Sequence, residues 1–273
     1  MAAIALLAPP AARADKPAGG AGPSAREDAR RAIPWRSLSD GDRKTVSKVV
    51  GDATLYRQLP TRVIDCDPEL FAYLIDHPEV VVDSWNVMGV SRLRVEPTGE
   101  RRYRVTDSAG AVGDVRVVHR SGDGVETPLT MVVLADGVYR AAPMPRPIRG
   151  GSVLLLRAEA VEERNGRTYI TTRLDSFLRM RGAATELVTH TLRPLITRTA
   201  DHNFVETMRF VSLFSRTAET NPAGMQRLSE QLPRIDEPTR REFAAECHAT
   251  AQRYAMRRSR VATAIRPVST AVR

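Results

Sequence analysis

A chain of 273 residues, 42% apolar and 27% charged, is long enough to bury a substantial core and is ordinary in composition for a globular protein. No window approaches 18 consecutive apolar residues, which argues against a transmembrane helix. The formal charge of +9 is local: Arg253, Arg257, Arg258, Arg260, Arg266 and Arg273 supply +6 of it at the C-terminal end, with no acid among them, so the body is nearly balanced and no nucleic-acid partner is expected.

Ala2–Ala8 is a short apolar run, and Ala12-Arg13-Ala14 fits a small-x-small cleavage pattern. Residues 1–14 therefore read as a signal peptide lacking its basic n-region, with export to the periplasm or medium as the expectation and an Ala-rich disordered end as the other reading. Residues 15–38 are rich in Pro, Gly and Ala without periodicity, and are expected to form a disordered linker. The folded domain is expected over 39–220. It opens with a polar helix over Ser39–Val50, capped by Ser39 or Asp40, and strand character over Leu55–Ile64. Asp67-Pro68 supplies an N-cap and a proline at the first helical position. The helix to His77 puts Leu70, Phe71, Leu74 and Ile75 on one face. Pro78 interrupts it, and a second helix over Glu79–Met88 ends at Gly89.

From Val90 to Phe177 the period is two. Val90–Glu96, Arg101–Thr106, Val112–His119, Leu129–Leu134, Val138–Arg140, Val153–Glu163 and Arg167–Phe177 are separated by short turn clusters, among them Ala135-Asp136-Gly137 and Asn165-Gly166. Links this short exclude parallel crossovers, so the sheet is antiparallel. Beyond Gly182 the period returns to 3.6, with Leu192, Ile196, Ala200, Phe204, Met208, Val211 and Ser215 on one side of a long helix that needs a broad apolar surface. Asn221-Pro222 ends it. Helices over Ala223–Leu232 and Pro238–Arg257 form an extension (221–257), followed by a basic disordered tail (258–273) that could meet an anionic surface. Cys66 and Cys247 show no metal or redox spacing and read most simply as two isolated, partly buried thiols, with pairing left open.

The fold class is thus α+β: an antiparallel sheet wrapped on a long helix near the C-terminus, with short helices after it. This order, a strand, a helical pair, a run of antiparallel strands and a long helix, resembles the helix-grip fold of the START-like (SRPBCC) superfamily over roughly residues 55–219. It is also similar to exported bacterial proteins of uncharacterised function. The superfamily resemblance implies a cavity for a hydrophobic or lipid-like ligand between sheet and helix. It rests on element order, so no family site is carried over residue by residue.

Four residues are candidates for ligand contact. His202 and Glu206, four apart with Asp201 and His190 nearby in sequence, share a helix face and suit an acid/base pair, two ligands of a metal that would need a further ligand, or a plain edge interaction. Arg173 shares a strand face with Tyr169, Thr171, Asp175 and Phe177 and could anchor an acidic head group. The more apolar pair Ile170 and Leu174 favours the opposite face as the inward one. Trp85, at the end of the helical pair, could gate a cavity or simply pack in the core. Arg146, Arg149, Gly150 and Gly151 form a basic loop without P-loop spacing. There is no GxSxG, GxGxxG or HExxH, so no catalytic, cofactor or metal residue is assigned. The leading expectation is non-catalytic binding of a hydrophobic or amphipathic small molecule. The alternatives are a filled-core structural or interaction protein of the cell envelope and a cyclase- or hydrolase-like enzyme using His202 and Glu206.

Overall fold

The runs Met131–Leu134 and Val153–Leu156 are apolar at every position, which suits strands buried on both faces. The computed structural model, which describes residues 19–108, 110–140, 147–163, 167–181 and 193–265, places both runs at the centre of an eight-stranded antiparallel sheet. The strands are β1 (Leu55–Gln58), β2 (Arg62–Asp65), β3 (Arg94–Gly99), β4 (Arg102–Thr106), β5 (Ala111–Ser121), β6 (Leu129–Tyr139), β7 (Ile148–Glu162) and β8 (Thr168–Arg181). Their order is β1-β8-β7-β6-β5-β4-β3, with β2 beside β1 on the same edge of β8. The extended stretch expected over Leu55–Ile64 is thus two short strands, parted at Leu59-Pro60-Thr61, where proline cannot donate to the ladder.

Seven α-helices occur among the described residues: α1 (Pro23–Ala32), α2 (Asp40–Gly51), α3 (Pro68–Asp76), α4 (Pro78–Val87), α5 (Arg193–Thr220), α6 (Pro222–Glu230) and α7 (Glu237–Ile265). The capping residues behave as their chemistry dictates. Ser39, Asp67 and Asn221 accept the backbone N–H of Asp42, Leu70 and Gly224, and Pro68, Pro78 and Pro222 open their helices.

The fold class expected from the pattern is the one observed: the inner face of the sheet closes on α5. Leu129, Met131 and Val133 of β6, Leu154, Leu156 and Ala158 of β7, and Ile170 and Leu174 of β8 share a core with Phe204, Met208, Val211 and Phe214 of α5. The outer face carries a second core, in which Val132, Leu134, Val153, Leu155 and Phe177 meet Ala29 and Ile33 beside α1 and Val46, Val49 and Val50 of α2.

Three sequence expectations are corrected. The disordered linker over 15–38 contains α1 and a short 3-10 turn at Trp35–Ser37, because Ala29, Ile33 and Leu38 find an apolar sheet face to bury against. The hairpin turn expected at Ala135-Asp136-Gly137 is a continuous part of β6. Gly137 pairs with Gly113 on one side and Gly150 on the other, and a Cβ on Gly137 would lie 2.8 Å from the Val112 carbonyl oxygen. This glycine serves close strand approach, not a turn. The basic tail expected to be disordered from 258 is helical to Ile265, since α7 runs 29 residues. Residues 1–18, the Asn165-Gly166 turn, Leu192, His190, Arg146 and the tail from 266 lie outside the described residues.

The extension after Asn221 belongs to the main core. Met225, Leu232, Ile235, Phe243 and Cys247 join the inner cluster. Asp67, wholly buried, fixes α7: Arg253 donates to its Oδ2 at 3.1 Å and Oδ1 at 2.7 Å, and Arg257 to Oδ2 at 3.0 Å. The Asp67 N–H donates to Ser215 of α5, so one acidic residue links α3, α5 and α7.

Candidate functional site

The inner face beneath α5 is where a helix-grip ligand would lie. At its centre Leu154, Leu174 and Val211 have no exposed surface and Leu156 and Phe204 only 1%, so side chains meet directly and no water-sized space adjoins them. Small residual exposure appears toward β3–β5, at Val95, Tyr103 and Val115. Trp85 belongs to this inner core. Its ring meets Phe210 edge-on at 5.6 Å, and contacts continue through Phe214 and Phe243 to Tyr73 and His77. Trp85 is thus held in packing between α4 and α5.

The other three candidates lie elsewhere. Arg173 is on the outer face, because Leu174 takes the inward position. There the buried carboxylate of Asp175 accepts from Tyr56 at 2.7 Å, Gln58 at 3.3 Å and Arg157 at 2.8 Å, with Arg173 Nε 3.3 Å away. Arg157 and Arg173 stand directly opposite each other on β7 and β8. Two guanidiniums and a phenol compensate one buried charge, an arrangement that fixes β1 and α1 to the sheet through the Tyr56 hydroxyl, which also contacts the Ala25 carbonyl. His202 is half-buried. Glu206 is 49% exposed and approaches Arg209 at 4.0 Å. No hydrogen bond or ion pair joins His202 to Glu206 among the described residues, so the structure does not assemble the four candidates into one site.

A polar constellation not singled out in the sequence sits where α3 meets α4. His77 Nδ1 lies 3.1 Å from Glu79 Oε1, its ring stacks on Tyr73 at 4.3 Å, and the buried Glu79 Oε2 has no hydrogen-bond partner. Burial opposes protonation of His77, but the hydrogen bond and charge of Glu79, with Glu242 and Asp76, outweigh it and raise its pKa above the ordinary histidine value. The signal was His77-Pro78-Glu79, which reads as a helix interruption before it reads as a charge pair. A surface pocket of about 410 Å³ opens between α6 and α7, lined by Gln226, Glu230, Glu237, Arg240, Arg241 and His248. Among the described residues no cluster of three potential metal ligands forms, and no helix is long and apolar enough to cross a membrane.

No family model matches the chain, and no curated protein is significantly similar to it. Among solved structures it is similar to a conserved protein from Geobacillus kaustophilus, at 10% identity and a TM-score of 0.36 over 59% of this chain and 95% of that one. A hypothetical protein from Helicobacter pylori is similar at the same identity and TM-score, over 59% of this chain and 90% of that one. Likeness at this level carries no argument about activity.

Proposed function

We propose that the protein binds a hydrophobic or amphipathic small molecule between the inner sheet face and α5, without catalysis, in the manner of START-like helix-grip proteins. The observation that supports this reading is the element order over residues 55–220: edge strands, the α3–α4 pair, six antiparallel strands and the long α5, with an apolar inner face. The ligand would extend from α5 toward β3–β5, where Val95, Tyr103 and Val115 keep some exposure beneath α3 and α4, instead of the closed centre. The signal-like N-terminus supports export of the binding protein, which cell fractionation tests. Native mass spectrometry of the full chain, purified from cells and then incubated with a fatty acid and a lysophospholipid, tests the binding. Retention of a lipid, with methyl chemical shifts moving at Val95 and Val115, is the expected result. If no lipid is retained and those methyls stay unmoved, the reading fails.

The closed packing around Leu154, Leu174 and Val211 favours a second reading, a filled-core interaction protein. It expects no lipid in the same experiment and a stable protein partner instead.

A further inference from the structure

Of the ten large apolar side chains exposed among the described residues, five lie at one end of the sheet: Val87, Met88, Val90, Val112 and Tyr139. This is the end from which the α4–β3, β4–β5 and β6–β7 connections leave. Val87, Met88 and Val90 are 37%, 48% and 69% exposed, and they are held out by a built loop. The Trp85 carbonyl accepts the Val90 N–H at 2.8 Å, Gly89 adopts φ +70° and donates to the Asn86 carbonyl, and the Asn86 side chain donates to the Leu93 carbonyl at 2.8 Å. A helix end and loop so constrained do not present three apolar side chains to water by slackness.

The same end is cationic. Pairing runs Arg94–Thr106–Val112–Val138–Arg149–Arg181 straight across six strands, a row about 24 Å wide at the usual strand spacing. Arg92, Arg94, Arg140 and Arg149 are exposed and have no ion-pair partner among the described residues. Buried Asp107 lies at this end too. One outer row further in, Asp114 and Asp136 are neutralised by Arg104 and Arg181, and Glu96 is exposed.

We propose that this end of the sheet docks on an anionic lipid bilayer, with Met88 and Val90 entering the acyl boundary while Arg92, Arg94, Arg140 and Arg149 meet the head-group phosphates. Apolar tips flanked by arginines fit a bilayer surface, where the former leave water and the latter stay at the charged interface. The docking does not rest on the ligand-binding reading, since a filled core would leave the rim unchanged. Its test therefore reads vesicle binding and not ligand retention.

The full chain is sedimented with phosphatidylcholine vesicles with and without phosphatidylglycerol, over a range of salt. Binding that needs phosphatidylglycerol and weakens with salt is expected. Each surface arginine is worth about fivefold in partitioning, so R94Q/R149Q lowers it roughly 30-fold. M88S/V90S lowers it too, with unchanged thermal melting because both side chains are exposed. R258Q/R260Q, on the far α7, leaves it intact. Absence of vesicle binding overturns the proposal. So does loss confined to R258Q/R260Q, which assigns the attraction to the tail, or a dimer in solution that M88S/V90S converts to monomer, which makes the rim a self-association surface.

Discussion

Replacing Asp67 tests how much of the fold depends on one buried carboxylate. Asp67→Asn keeps an N-cap for α3 but deletes the charge, whereas Asp67→Ala deletes both. Cap loss costs about 1 kcal/mol. Removing one partner of a buried pair typically costs about 3–5 kcal/mol. Here the loss should fall at or just below the lower end, because Arg253 is 20% exposed and keeps Glu69 at 2.7 Å and Glu246 at 2.6 Å. Asp67→Asn is therefore expected to lose about 2–3 kcal/mol and Asp67→Ala about 3–4 kcal/mol, read as a lower urea midpoint at unchanged slope. The pH dependence carries a sign. Burial raises the Asp67 pKa, but the hydrogen bonds and charge of Arg253, the Leu70 N–H and the charge of Arg257 more than offset it and leave it below the usual carboxylate range. Its contribution is thus fully present above the unfolded-state pKa of about 4 and is lost as pH falls through the depressed folded value, a slope that Asp67→Asn removes. Equal midpoints for wild type and Asp67→Ala would refute the role of this hub.

His77 gives the opposite sign. Its raised pKa makes the stability it shares with Glu79 present below about pH 6.5 and lost as pH rises through the folded value, so its NMR titration should sit above that of an exposed histidine and His77→Gln should flatten stability across neutral pH. Burial pushes the Cys247 thiol up to about 12 and the Cys66 thiol higher still, so neither should react with a thiol reagent at pH 8 until denaturant is added. Phe204→Ala, under the sheet, should cost about 3–5 kcal/mol by leaving a cavity, whereas Glu206→Ala, two residues on and on the opposite face of the helix, should stay within about 0.5 kcal/mol.

Much of the local structure was legible from residue chemistry alone. Asp67-Pro68 marks a helix start, since a cap and a proline act within one turn. Asn221-Pro222 ends the long helix, and that Asn221 also caps the next helix emerges only from the structure. The period-two run from Val90 with its short links could form only an antiparallel sheet, and the stripe Ala200, Phe204, Met208, Val211 had to face an apolar surface. What the chain could not disclose one segment at a time is which surfaces meet. The outer face of the sheet is covered by α1 and α2, so Pro23–Ala32 is ordered by a partner more than a hundred residues away, although the unbroken apolar runs at Met131 and Val153 were its trace. Gly137 reads as a turn until Gly113 and Gly150 are found beside it. Arg173 and Asp175 alternate correctly with Leu174, but only tertiary packing decides that their side meets α1 and not α5. Likewise Met88, Val90, Arg94 and Arg149 are scattered in sequence and become one rim only where three connections leave the same end of the sheet. Local periodicity and capping are set by neighbours in the chain. Burial, charge compensation and shared surfaces are set by distant residues that folding brings together.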